Sequence, residues 1–108
     1  MEEFIMVVRV ENDNMDEALK SKFAVVDFSA TWCGPCQMLA PVMEQLSDEL
    51  DGQADFYNVD ADENPELCAK FGVQSIPAIF LLKDGEVVAK TVGAQPKPLM
   101  EKFIKSKM

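Results

Sequence analysis

Cys33 and Cys36 are separated only by Gly34 and Pro35, and two thiols at that spacing can be exchanged for one disulfide. Residues i and i+3 are neighbours on a helix, so the pair can close or open with little backbone movement. Asp27 is a third candidate, a lone carboxylate in the run Val25-Val26-Asp27-Phe28. Burying a carboxylate in its charged form is costly. Burial therefore favours the neutral acid and raises its pKa toward the range useful for proton transfer. The alternative is that Asp27 points out of an edge strand. The chain has no histidine, which removes Cys-His and Ser-His-Asp mechanisms, since no imidazole is present as base. Redox exchange competes with two other readings of the cysteine pair, half a zinc site or an inert buried pair. Four-coordinate zinc needs more ligands than Cys68 and carboxylates readily supply, so no metal is expected.

The elements that must hold these residues follow from periodicity and punctuation. Phe4 to Val10 reads as a first strand, and Asn14-Met15-Asp16-Glu17 as the start of a short helix with an Asn cap and an acidic first turn. Phe23 to Phe28 is a near-continuous apolar run, as in a strand buried on both faces. A long helix is predicted from about Pro35 to Leu50, with Met38, Leu39, Val42, Met43, Leu46 and Leu50 at helical spacing. Pro41 inside it removes a backbone donor and predicts a kink near Gln37. Phe56 to Asp60 is a third strand, and Pro65 to Phe71 a short helix ended by Gly72. Ala78 to Leu82 and Glu86 to Val92 form a hairpin about Asp84-Gly85. Leu99, Met100, Phe103 and Ile104 supply the buried stripe of a last helix that opens near Pro98. The order β-α-β-α-β-α-β-β-α predicts an α/β protein, a mixed sheet with helices on both faces.

This order places Cys33 at the mouth of the long helix, directly after the second strand. A thiolate there is stabilised by unpaired backbone N–H groups and the positive end of the helix dipole. Cys36 lies one turn inward and is expected to be less exposed. Cys33 then attacks a substrate disulfide, and Cys36 resolves the mixed disulfide.

The bulk properties set the frame. A chain of 108 residues is expected to be one domain, 1–108, with a single core. Its 19 acidic and 10 basic residues leave a net charge of -9, which argues against nucleic acid and against anionic membrane surfaces as partners. No secretory signal and no run of about 18 apolar residues is visible, so a cytoplasmic location and a default monomer are expected. The odd count of three cysteines fits a secreted disulfide framework poorly. Cys68, beside Leu67 and Phe71, reads as a packed, inert thiol.

Trp32-Cys33-Gly34-Pro35-Cys36 after Val25-Val26-Asp27-Phe28, with Ile76-Pro77 and Val92-Gly93-Ala94 downstream, resembles the thioredoxin family over essentially the whole chain. The resemblance implies a thioredoxin fold, a central five-stranded mixed sheet flanked by four helices. It implies reduction of protein disulfides through the dithiol, with re-reduction by a thioredoxin reductase. No cofactor is implied, because the dithiol is itself the redox group. The Gly34-Pro35 dipeptide suits the reducing branch of the family. The resemblance makes Asp27 the base for Cys36, acting through a water. It also implies a cis bond before Pro77, which faces the cysteines and leaves the Ile76 backbone to pair with a substrate strand. Trp32, Gly34, Pro35, Ile76, Pro77, Gly93 and Ala94 then form the docking surface, with Asp62 as acceptor for the Trp32 indole. The chain departs from the family at Gln37 and Asn58, where many members carry Lys, and at Ala78, where Thr is frequent. Losing two cations near the dithiol predicts a less stabilised thiolate and a higher pKa for Asp27. A binding module that uses the same fold without turnover is the competing functional class.

Overall fold

A computed structural model of the chain describes residues 7–108. Its elements are β1 (Val7–Val10), α1 (Asp16–Lys20), β2 (Phe23–Ser29), α2 (Gly34–Glu49), β3 (Asp55–Asp60), α3 (Pro65–Phe71), β4 (Ala78–Lys83), β5 (Glu86–Val92) and α4 (Lys97–Lys105). The part of the first predicted strand from Phe4 to Met6 lies outside the described residues. The strands form one five-stranded sheet in the order β1-β3-β2-β4-β5. β3 runs parallel to both β1 and β2, whereas β4 is antiparallel to β2 and to β5. The fold is the expected mixed sheet with four helices.

β2 is the central strand, and the period of two along it sorts its side chains between two cores. Ala24, Val26 and Phe28 join Met15 and Ala18 of the α1 region and Leu67 of α3. Phe23 and Val25 face the other way, toward Leu39, Met43 and Leu46 of α2 and Met100 and Ile104 of α4. Asp27 follows Val25 by two and so stands on the α2 side. Buried on both faces and paired on both edges, β2 solvates a charge poorly.

Two hydrophobic expectations fail for the same geometric reason. Met38 in α2 is 74 % exposed and Leu99 in α4 is 55 % exposed. Each precedes a fully buried residue, Leu39 or Met100, and neighbours along a helix point about 100° apart. Spacing by three and four is satisfied by the remaining residues alone. Asn14 also differs slightly from expectation. Its side-chain oxygen accepts from the Asp16 amide at 2.9 Å, but α1 begins only at Asp16, with Met15 at the cap position.

The hairpin turn has positive φ at Asp84 (52°) and Gly85 (84°), as a two-residue type I′ turn requires. A Cβ at Gly85 would also sit 2.8 Å from the Leu19 carbonyl oxygen. Glycine is therefore required there by both torsion and space. The turn thus locks β4 in register, and just before β4 Ile76 packs against Cys33 and Cys36.

Candidate active site

Cys33 leaves the end of β2 through a short loop and occupies the N-cap position of α2. Its sulfur accepts a hydrogen bond from the Cys36 backbone N–H at 3.3 Å. That donor is one of the amides a helix start leaves without an internal partner. Pro35 sits in the first turn, where its missing N–H removes nothing from the helix. Cys33 and Cys36 are joined as a disulfide with Cα atoms 5.2 Å apart. Both are buried, at 6 % and 3 % exposure, so overall exposure separates them little. Their surroundings separate them more. Cys33 caps the helix, whereas Cys36 lines a cavity that also contains Asp27.

That cavity, about 340 Å³, lies between α2 and the β1, β3 side of the sheet. Asp27 is 5 % exposed, and its Oδ1 has no hydrogen-bond partner. Burial pushes its pKa up from an ordinary 3.8 to about 7, with the nearby Asn58 amide pulling weakly the other way. Asn58 is the register partner of Asp27 on β3. Its amide donates to Ser29 Oγ at 2.8 Å and to the Asp27 backbone carbonyl at 3.4 Å. Gln37 is tied down as well, its Nε2 donating to the Thr31 carbonyl at 3.2 Å. The two positions where many relatives carry Lys are thus filled by neutral amides held by local bonds. Arg9 reaches the cavity wall but pairs with Glu63 at 2.7 Å and stands 3.8 Å from Asp60.

The opposite flank of the dithiol is apolar. Ile76 packs against Ala30, Cys33 and Cys36. The Ile76–Pro77 bond is cis, and Gly93 N–H donates to the Pro77 carbonyl at 2.8 Å, which ties the loop after β5 to the start of β4. Gly34, Pro35 and Ala94 are exposed, Ile76 and Gly93 half-buried, and Pro77 buried. Trp32 is 70 % exposed, with its indole N–H donating to Asp62 at 2.8 Å. Asp60 Oδ1 in turn accepts from the Asp62 and Glu63 amides, holding the Asp62 loop in place. Cys68 is half-buried on α3, and burial first, then nearby Asp13, Asp62 and Asp60, raises its pKa. A raised pKa disfavours the thiolate, which is the reactive form.

Ser29 and Ala40 were not singled out from the sequence, yet both line the Asp27 cavity. Ser29 was accessible to inspection, since it follows Asp27 by two and shares its face. The place of Ala40 needs the packing of α2 across the sheet and has no local signal. Among the described residues, no group of three His, Cys, Asp or Glu side chains comes together to hold a metal. No helix among them is long and apolar enough to cross a membrane.

A cysteine pair that caps the helix after the central strand, with a buried acid on one flank and a cis-proline loop on the other, defines a thiol–disulfide oxidoreductase. The thioredoxin family profile matches residues 6–106, and the chain belongs to the thioredoxin family. The thioredoxin of Staphylococcus haemolyticus (strain JCSC1435) is 54% identical over 91 residues, covering 84% of this chain and 88% of that protein. The thioredoxin of Staphylococcus saprophyticus subsp. saprophyticus is 49% identical over 98 residues, covering 91% and 94%. Among solved structures, a mutant thioredoxin from Halobacterium salinarum NRC-1 superposes with a TM-score of 0.83 at 36% identity, covering 92% of this chain and 88% of that one. The chain is accordingly a dithiol–disulfide oxidoreductase whose redox-active pair is Cys33 and Cys36. Proteins of this family act on disulfide-bonded proteins and are recharged by a reductase.

Proposed function

We propose that this chain works as one domain, a cytoplasmic, monomeric reductase of exposed protein disulfides, recharged by a thioredoxin reductase. Cys33 is the nucleophile, Cys36 the resolving thiol and Asp27 the proton acceptor and donor. The observation that carries the assignment is the unequal setting of the two sulfurs. The Cys33 sulfur receives a helix-start N–H, a donor that strengthens as the sulfur becomes an anion. Cys36 instead shares a cavity with a buried carboxyl whose pKa of about 7 suits proton transfer near neutrality.

In the first step Cys33 thiolate attacks one sulfur of the substrate disulfide and the other sulfur leaves. The chain and substrate are then joined at Cys33. Asp27 takes the Cys36 proton, Cys36 attacks Cys33, and the reduced substrate departs. Docking uses Trp32, Gly34 and Pro35 on one side of the dithiol and Ile76, Pro77, Gly93 and Ala94 on the other. The mostly small and apolar character of this surface, exposed at Trp32, Gly34, Pro35 and Ala94, supports reading main chain more than side chain.

Trapping tests the role of each thiol. Cys36→Ser should accumulate proteins disulfide-linked at Cys33, whereas Cys33→Ser should accumulate none. Recovery of linked proteins through Cys36 in the Cys33→Ser chain would reverse the assignment, and recovery from neither variant would refute the general reductase.

A further inference from the structure

Beside the docking face lies a concavity of about 140 Å³, with Gln74, Ser75, Phe80, Lys90 and Val92 in its lining. Two of these residues adjoin the docking face along the chain, Ser75 next to Ile76 and Val92 next to Gly93. Val92 is 51 % exposed and carries apolar surface from Gly93 into the concavity. Lys90 supplies the charge. It is the register partner of Phe80, and its Nζ lies 5.8 Å from the centre of the Phe80 ring, within reach of a cation–π contact. That contact favours an ammonium held over the concavity. Lys90 makes no ion pair among the described residues, and no acidic side chain lines the concavity. In a chain of 19 acidic residues and net charge -9, a cation without a carboxylate beside it is a local exception. The Trp32 flank of the docking face has the opposite sign, with Asp62 on the indole.

The geometry points to Lys90 as a specificity residue, which pairs with an acidic side chain that a substrate protein carries two residues from its reactive cysteine. The inference rests on the reduction of protein disulfides at the Ile76–Pro77 docking face proposed above. Ile76 packs against both cysteines, so a substrate cysteine bonded to Cys33 stands near Ile76. In an extended strand alternate side chains point the same way, about 7 Å apart. A substrate strand laid along the Ile76 backbone therefore aims the side chain two residues from its cysteine at the level of Gln74, which lines the concavity.

Size and donors both suit that occupant. Pockets for separate small ligands run from about 300 to 1,000 Å³, and about 140 Å³ instead matches one side chain of a protein already docked. Gln74 and Ser75 are exposed and add an amide and a hydroxyl as donors, so a carboxylate has more than the ammonium to bond. An exposed ion pair changes an equilibrium by at most about fivefold. Lys90 thus biases the choice among substrates and does not gate it.

Two symmetric peptide disulfides test the assignment, alike except for Glu or Gln at the positions two before and two after the cysteine. Placing the residue on both sides makes the direction of the bound strand immaterial. The pre-reduced chain is mixed with each peptide at neutral pH and low salt, and the second-order rate constant for release of peptide thiol is measured. The parent should reduce the Glu peptide about threefold faster than the Gln peptide. Lys90→Gln should bring that ratio to about one, and Lys90→Arg, which keeps the charge and the contact with Phe80, should restore it. Lys83→Gln lowers the net charge equally at an exposed position off the concavity, and its ratio should stay at the parent value. A parent ratio near one, or a preference for Glu that survives Lys90→Gln, refutes the role of Lys90 and leaves the reductase standing. Equal loss of the preference in Lys83→Gln refutes it too, since long-range charge would then be the cause. Reduction of neither peptide by the parent removes the reductase reading and this inference together.

Discussion

Asp27→Asn should make the oxidised protein more stable at pH 8 and change its stability little at pH 4. In the folded chain the carboxyl has a pKa of about 7 against an ordinary 3.8, so the folded state binds the proton more tightly than the unfolded one. Where the folded state holds more protons, stability falls as pH rises. For this group the stabilisation is fully present below about pH 4, is lost between about pH 4 and pH 7, and is flat above. Each tenfold difference in proton affinity amounts to about 1.4 kcal/mol, which gives about 4 kcal/mol for the whole window. That is a large part of the roughly 5–15 kcal/mol that holds a typical domain together. Urea unfolding of parent and Asp27→Asn, followed by Trp32 fluorescence and far-ultraviolet circular dichroism from pH 4 to pH 8, measures the difference directly. Subtraction removes the contribution of the other carboxylates common to both. The gap should widen in favour of Asn by several kcal/mol across the window. A gap that stays constant, or that widens in favour of Asp, would show that the carboxyl is not desolvated in the folded state.

Two further perturbations address the tuning of the site and the frame that holds it. Asn58→Lys replaces a neutral amide beside Asp27 with a cation and should lower the Asp27 pKa from about 7. Paired with Gln37→Lys, it should shift the Cys33 alkylation-rate profile to lower pH. A profile that does not move would show that these positions do not tune the dithiol. Gly85→Ala combines a φ of 84° with a 2.8 Å approach of the new Cβ to the Leu19 carbonyl oxygen. A loss of about 1–3 kcal/mol is expected from such strain. Thermal unfolding at the parent midpoint would show that the turn relaxes freely.

Much of this architecture was legible along the chain because its signals are local. The apolar run of β2, the Gly72 stop after α3 and the Asp84-Gly85 turn each act within a few residues, and the elements after β1 fall within a residue or two of the expected bounds. Asp27 stood out for the same reason, as a charge where its neighbours demand burial. Met38 and Leu99 misled because spacing names the candidates for a buried face and the neighbouring packing chooses among them. The cavity was illegible for a different reason. Its walls come from β1, β2, β3 and α2, and the partnership of Asn58 with Ser29 depends on the register between β2 and β3. No window of adjacent residues contains that information.

The cap made by Cys33 on α2 bears on which inactive variant can stand in for the working protein. Serine is among the strongest N-cap residues, while alanine at such a position typically costs about 1 kcal/mol. Cys33→Ser therefore preserves the acceptor for the Cys36 amide as it removes the proposed nucleophile, and the start of α2 keeps its anchor. Cys33→Ala removes nucleophile and anchor together, so a loss of partner binding in that variant would conflate chemistry with a frayed helix. The sulfur proposed to begin the reaction is also the atom that begins the helix, and only the serine variant separates those two duties.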